Sequence, residues 1–323
     1  MNDIDVKDTK ILYLLDTNSR MTITQIGKKV GLKKNVVSYR LKRLMQKGII
    51  KKYYTYIDAY KLGYISFRFY LSYQYTTPKI ENEIINYFVN NKHVWRVISI
   101  KGRYDLGVTT WVKDTNIFYK FWSSTMDKFG DYFTDITFSA CIHSYDYSFF
   151  FSLGDTLKKS EKIEYELKGG GKKIEIHNID RKILSLIAEN SRMSSAEIGR
   201  RLNISPTTVA YRIKNLVKNK MIQAFRTDID VSKLGYRHFK VDIFLRKYKQ
   251  RSSIIKYLRF NPCLSHIGTS SGVSDLELEF YVKKVDQLYS ILDKLILKFP
   301  NIIKNYKYFN ILKVHKINYM PEI

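Results

Sequence analysis

The chain states one pattern twice, and the two statements lie 172 residues apart. Asp8-Thr9-Lys10-Ile11-Leu12 with Asn18-Ser19-Arg20-Met21 returns as Asp180-Arg181-Lys182-Ile183-Leu184 with Asn190-Ser191-Arg192-Met193. The correspondence continues without a gap through Tyr39-Arg40 and Tyr211-Arg212 to Leu62-Gly63-Tyr64 and Leu234-Gly235-Tyr236. Between residues 8–50 and 180–222, 17 of 43 positions are identical. Solenoid units repeat every ~20–50 residues, so this period is too long for one. The chain holds two copies of a whole module, and its function must profit from a built-in pair.

A length of 323 residues accommodates two or more domains with cores of their own. The formal charge of +26 points to a polyanionic partner, either nucleic acid or an anionic membrane surface. A lysine-rich, AT-biased genome would produce the same excess without a partner. Cys141 and Cys263 do not occupy equivalent repeat positions, which favours reduced thiols over a disulfide. No stretch approaches the ~20 apolar residues of a membrane span, and the acidic start is not a signal peptide. A soluble, cytoplasmic protein without membrane partners is expected.

Each copy opens with three helical patterns. Ile11, Leu14 and Leu15 define the first, with Asp8 as its expected N-cap. The second covers residues 24–30 and ends in a turn at Gly31-Leu32; the third covers 34–47, with Val37, Leu41 and Leu44 inward. In the second copy the turn is Asn203-Ile204, and Val209, Ile213 and Leu216 form the buried stripe. Ser205-Pro206 caps and starts that third helix. Lys33-Lys34 stands at the same place in the first copy, where a firm start is therefore missing. The three helices read as helix-turn-helix, and the basic, β-prone segments after them, 48–56 and 222–229, read as wings.

Downstream, each copy alternates strand and helix patterns in the order βαββαβ. The segments are 67–75, 79–90, 94–100, 106–112, 116–129 and 136–143, then 239–245, 254–259, 264–268, 276–282, 285–299 and 305–312. The expected class is α+β: two winged helix-turn-helix domains and two ferredoxin-like domains in tandem. The boundaries are 1–60 and 61–155 for the first pair, 156–173 for a flexible linker ending in Gly169-Gly170-Gly171, and 174–232 and 233–323 for the second pair.

The third helices carry the chemistry. Opposite the buried stripe stand Thr207, Ala210, Tyr211, Lys214 and Lys218; in the first copy, Asn35, Ser38, Tyr39, Lys42 and Gln46. Short hydrogen-bonding groups and a tyrosine come first and cations follow, which suits base-edge readers at the end entering the major groove and phosphate contacts beyond. An ordinary solvated face would also be polar. Position in the motif, duplication and charge together favour DNA. Arg20 and Arg192 are expected on phosphates, whereas Arg40 and Arg212 lie beside the buried stripe, within reach of Asp8 and Asp180.

The Asp-x-x-Ile-Leu opening, Asn-Ser-Arg-Met, Ser205-Pro206-Thr207-Thr208-Val209-Ala210-Tyr211-Arg212 and the Leu-Gly-Tyr exit resemble the Lrp/AsnC family of feast/famine transcription regulators. Gly102-Arg103-Tyr104-Asp105 and Gly272-Val273-Ser274-Asp275 resemble that family's Gly-x-x-Asp turn. The resemblance implies double-stranded DNA as partner, assembly as dimers or more, and a small-molecule effector, often an amino acid, between sheet domains. Gly102, Asp105, Gly272 and Asp275 would line that effector site, or would simply close β-turns. Ordinary members carry one copy of each domain, so here the pair forms within one chain, between chains, or both.

The remaining readings are negative or alternative. His143 and His315 have no Cys/His cluster of zinc spacing beside them, so no metal is expected. No nucleophile–base constellation and no cofactor motif stands out, so no catalytic residues are assigned. An architectural, chromatin-like DNA binder would use the same surface with little sequence preference. A sirohaem-decarboxylase-like enzyme, similar to the same family, would need a histidine- and arginine-rich cluster after the wing. There the sequence offers only His238.

Overall fold

The computed structural model describes residues 4–148 and 162–321. Each copy begins with three helices: α1 (Val6–Thr17), α2 (Ile23–Val30) and α3 (Lys34–Gln46), then α6 (Asn178–Ala188), α7 (Ser195–Leu202) and α8 (Pro206–Lys218). Helix α1 is capped by Asp5 rather than Asp8. Asp8 sits at the third helical position and bonds back to the Asp5 amide, which completes a capping box. Helix α2 ends on Gly31 at φ 71°, and its counterpart ends on Asn203 at φ 54°, a conformation asparagine tolerates. A Cβ on Gly27 or Gly199 would lie 2.6 Å from the carbonyl oxygen of Leu32 or Ile204, so the tight turn excludes a side chain there. Ser205 caps α8 through the Thr208 amide, whereas Lys33 gives α3 no side-chain cap.

The segments read as wings do something else. β1 (Ile50–Ile57) and β7 (Ile222–Ile229) pair with each other, antiparallel, in a two-stranded ribbon. Tyr54 faces Arg226 in that register, and these two positions are one repeat apart. A pseudo-twofold axis therefore passes through the ribbon. Ser19 and Ser191, another equivalent pair, share a buried hydrogen bond of 2.6 Å. Each head also borrows core from the other copy: Leu234 packs with Ile11, Leu15 and Val37, while Tyr56 and Ile57 pack with Ile183, Ile187 and Val209.

The sheet domains merge as well. β2 (Ile65–Tyr73), β3 (Val94–Lys101), β4 (Leu106–Val112) and β5 (Phe133–Tyr147) form the first set, with α4 (Pro78–Asn90) and α5 (Thr115–Phe129). β8 (Arg237–Leu245), β9 (Leu264–Ser271), β10 (Leu276–Val282) and β11 (Ile303–Ile317) form the second, with α9 (Arg251–Leu258) and α10 (Val285–Lys298). Both show the expected βαββαβ order. The final strands run 15 residues each, longer than the pattern indicated, because their second halves cross to the other copy. β5 pairs with β2 and then β9, and β11 pairs with β8 and then β3. The eight strands close into one ring.

Part of the expected linker is structured. β6 (Glu164–Lys168) pairs with the end of β5 and leaves Gly169 bonded to the Ile142 carbonyl at 2.8 Å. Residues 156–161 of the expected 156–173 linker lie outside the described residues.

Alternation along the strands gives each sheet two faces. Phe69, Leu71, Val97, Leu106 and Val108 pack under α4 and α5, and Val241, Ile243, Leu276, Leu278 and Phe280 pack under α9 and α10. The opposite faces meet inside the ring and carry charge. Arg68 and Lys240 both bond Glu277, which also accepts from Ser270 at 2.7 Å, and all three charged groups are buried. Arg96 makes a two-pronged bond to Glu279 at 2.7 and 2.9 Å. Both arginines come from the first copy and both glutamates from the second. Removing one partner of a buried pair leaves a desolvated charge and costs about 3–5 kcal/mol. Glu277→Ala should approach that loss in denaturant unfolding, while Glu197→Ala, which breaks an exposed pair with Arg201, should cost under about 1 kcal/mol.

Candidate nucleic-acid interface and adjoining cavity

Every residue expected to read bases is on the surface. Asn35, Ser38, Tyr39 and Lys42 on α3, and Thr207, Ala210, Tyr211 and Lys214 on α8, are all exposed. Tyr39 and Tyr211 are 67% and 65% exposed, so both rings are accessible to a partner. Val37, Leu41 and Leu44, with Val209, Ile213 and Leu216, hold the opposite sides in the cores. Arg40 bonds Asp5 at 2.8 Å and Asp8 at 2.9 Å, Arg43 also bonds Asp8, and Arg212 bonds Asp180 at 3.1 Å. These cations fasten the third helix to the first.

Arg20 and Arg192, expected on phosphates, each spend a donor inside the chain. Arg20 donates to the Ser191 carbonyl at 2.7 Å and Arg192 to the Ser19 carbonyl at 2.8 Å, a reciprocal pair across the pseudo-twofold. Each guanidinium also lies over a ring of the ribbon, Phe225 and Tyr53 respectively. These bonds join the heads. The sequence showed two equivalent arginines but could not show that their partners lie in the other copy.

The Gly-x-x-Asp turns close strand pairs. Gly102 and Gly272 adopt φ of 141° and 139°, and a Cβ on Gly272 would come within 2.4 Å of the Phe138 carbonyl oxygen. Asp105 accepts from the Tyr73 amide at 2.8 Å and Asp275 from the Leu245 amide at 2.7 Å. Their carboxylates tie neighbouring strands together, as the turn reading expects. His143 bonds Glu166 at 2.6 Å and His315 bonds Ser99 at 2.7 Å. Among the described residues no group of three metal-binding side chains occurs, and no helix is long and apolar enough to cross a membrane. Cys141 and Cys263 are free thiols.

What the sequence did not expose is a cavity of about 690 Å³ between the ribbon and the adjoining end of the ring. Tyr54 and Tyr56 of the ribbon, Trp95, Trp111 and Tyr319 give it aromatic walls, and Arg68, Arg96, Arg226, His238 and His266 bring cations to its lining. Trp95 stacks on Trp111 at 5.4 Å between centroids, and Tyr54 stacks on Tyr319 at 5.5 Å. Arg226 is held by a two-pronged bond to Asp16 at 2.9 and 2.8 Å. Tyr56 and His266 both bond Asp146. The histidine- and arginine-rich grouping absent from any one stretch of sequence is thus assembled in space from both copies.

With this geometry in place, the chain can be set beside known proteins. A winged helix-turn-helix DNA-binding family matches residues 4–51 and 176–223, one match per copy. An HTH-type transcriptional regulator of Pyrococcus horikoshii is 35% identical over 128 residues, which span 38% of this chain and 79% of that protein. The HTH-type transcriptional regulator LrpB of Bacillus subtilis is 27% identical over 128 residues, 40% of this chain and 85% of its own length. The chain belongs to the Lrp/AsnC family of helix-turn-helix regulators, in a tandem form. Among solved structures, the siroheme decarboxylase NirDL matches 98% of this chain and 94% of its own with a TM-score of 0.63. At 11% identity, that likeness is one of fold.

Glu279 couples this site to pH. Burial opposes its ionisation, but the Arg96 charge and the bond from His238 outweigh burial and hold the carboxyl well below the usual range. Its stabilising contribution is therefore complete above the ordinary glutamate pKa of about 4.3 and is lost as pH falls through that value toward the folded one. Denaturant midpoints taken from pH 7 down to about 3 should fall more steeply for the native chain than for Glu279→Gln, which starts lower and stays flatter.

Proposed function

We propose that this chain is a sequence-specific, double-stranded DNA-binding transcription regulator in which one polypeptide supplies both reading heads, and that it works by binding rather than by catalysis. The observation that carries the reading is the pair of exposed third-helix faces, joined by a ribbon and a pseudo-twofold in a chain of charge +26. Tyr39 and Tyr211 serve as base-edge or methyl contacts, and Lys42 and Lys214 as phosphate contacts. The faces differ, Asn35-Val36-Val37-Ser38 against Thr207-Thr208-Val209-Ala210, so the preferred site has two unlike halves. Removing Tyr39 or Tyr211 to alanine should weaken the selected site by about 1–3 kcal/mol while barely touching random duplex. Lys42→Ala or Lys214→Ala should weaken all duplexes and flatten the salt dependence. Selection from random duplexes followed by salt titration checks both. No enriched motif would leave the architectural reading in possession.

The joined heads also demand a fixed separation. Two helices on one face of B-DNA lie about one turn apart, ~34 Å, or a multiple of it. Inserting about five base pairs between half-sites should remove most of the benefit of the second head, and inserting about ten should restore much of it. A response that does not change with spacing would mean that the heads act independently.

One observation favours a second reading, a sirohaem-decarboxylase-like enzyme. Arg68, Arg96, His238 and His266 share the cavity, where the sequence alone offered no such cluster. Anaerobic incubation with sirohaem decides it: an altered absorbance spectrum and loss of carboxylate supports the enzyme, and an unchanged spectrum supports the regulator.

A further inference from the structure

We infer that the two heads divide the work of recognition: the second, on α8, sets the preferred sequence, and the first, on α3, holds neighbouring phosphates. This rests on the regulator reading above and deepens it, because it says which half of the site is sharply specified.

The two helix starts share one backbone and differ in their side chains. Lys33 and Ser205 precede α3 and α8 at φ −66° in both heads, with ψ 149° and 145°. Ser205 accepts from the Thr208 amide at 3.0 Å, and Pro206 pre-sets the first helical position. The Lys33 side chain has no acceptor for the equivalent amide, that of Val36. Asn35 takes over that duty, its Oδ1 accepting from Val36 at 2.9 Å. Base reading bears the consequence. An asparagine recognises adenine by presenting oxygen and nitrogen together, and here the oxygen is already engaged by the helix. Thr207 stands at the equivalent place in the second head. Ser205 relieves it of capping, and it is exposed together with Ala210 and Tyr211. A start that is capped from within also fixes these readers before DNA arrives, which lowers the ordering cost of a specific contact.

Charge divides the heads in the opposite sense. Residues 22–47 hold eight Lys and Arg and no acid, whereas the equivalent residues 194–219 hold five, with Glu197 among them. Internal pairs take up some of these cations. Asp8 holds Arg40 and Arg43, Asp180 holds Arg212, and Glu197 holds Arg201 at 2.7 Å. The exposed cations outside those pairs are Lys28, Lys29, Lys33, Lys34 and Lys42 in the first head, against Arg200, Lys214 and Lys218 in the second. Lys33 and Lys34 lie at the helix end that a helix-turn-helix directs into the groove, where Ser205 and Pro206 carry no charge. A lysine meets phosphate as a point charge on a flexible stem, and that contact carries no sequence information. The first head is the better anchor and the second the better reader. The β1–β7 ribbon and the Ser19–Ser191 bond keep both in one frame, so an anchored first head presents the second to adjacent sequence at raised effective concentration.

Selection from random duplexes by the full chain tests the division. The expected product is one sharply defined half-site beside a half of weaker preference, to which Tyr39 still contributes. A variant with Lys33→Ser, Lys34→Pro, Asn35→Thr, Val36→Thr and Ser38→Ala gives the first head the second's start and keeps Val37 and Tyr39. It should select a near-palindrome and bind random duplex several-fold more weakly. Its slope of log affinity against log salt should fall by about two. Should it fail to fold, as read by circular dichroism, Lys33→Ala with Lys34→Ala carries the test at two exposed positions. That pair should flatten the salt slope similarly and weaken selected and random duplexes by the same factor, with the enriched half unchanged. Two equally defined halves in the native chain overturn the division and leave the regulator reading standing. A folded graft that still selects a one-sided site, or an unchanged salt slope in the lysine pair, does the same. A chain that binds duplex with no enriched half overturns the regulator reading itself, and the division with it.

Discussion

Two serines at the same place in successive copies, Ser19 and Ser191, share a hydrogen bond of 2.6 Å, and the pseudo-twofold it marks organises everything else. Around it Arg20 and Arg192 exchange bonds with the carbonyls of the opposite serines, and β1 pairs with β7. The same axis sends the second half of β5 to β9 and that of β11 to β3. Without the pairing, each set of strands would expose a sheet face bearing Arg68 and Arg96 or Glu277 and Glu279, and each head would lack part of its core. A buried charged face is tolerable only when its complement is supplied. The fold is therefore a property of the pair and not of either half.

That dependence explains the buried ion pairs. Arg68 corresponds to Lys240 by the repeat, and Gly107 and Thr109 stand where the second copy has Glu277 and Glu279. Two first copies facing one another would bury arginines without acids. Two second copies would bury four glutamates beside lysines and histidines. Only the unlike pairing balances the charge, so the interior selects partner as well as register, as charged interfaces do elsewhere. Burial and the nearby Arg68 charge push Lys240 down to about 7, which shows how little spare compensation the interior holds.

Local architecture was legible in the sequence to within a residue or two at most boundaries, because helix caps, helical stripes and strand alternation are local signals. The exposed faces of α3 and α8 were legible for the same reason: Val37-Leu41-Leu44 and Val209-Ile213-Leu216 fix which side remains outside. Position across the repeat was not legible. Arg20 read as a phosphate contact because nothing in its neighbourhood reveals that Ser191 accepts from it. Residues 48–56 read as a wing because a strand does not announce its partner. Glu164–Lys168 read as linker because its glycine- and lysine-rich surroundings hid a short edge strand. The cavity was invisible for the strongest version of this reason: Trp95, Trp111, Arg226 and His266 come from four separate strands or strand ends of both copies and share no stretch of sequence.

Fusing the copies removes a constraint that identical subunits cannot escape. In a homodimer, any residue on the axis meets itself, so a charge there meets a like charge. Here Tyr54 meets Arg226, and Arg226 is neutralised by Asp16 while lying 5.0 Å over the Tyr165 ring. The cavity beneath the ribbon can then be one-sided, with tryptophans at positions 95 and 111 of the first copy where the second has Ser265 and Tyr281. The heads diverge in the same way, with Asn35 and Ser38 set against Thr207 and Ala210. Asymmetry at the axis and asymmetry at the reading faces are two consequences of the same covalent join.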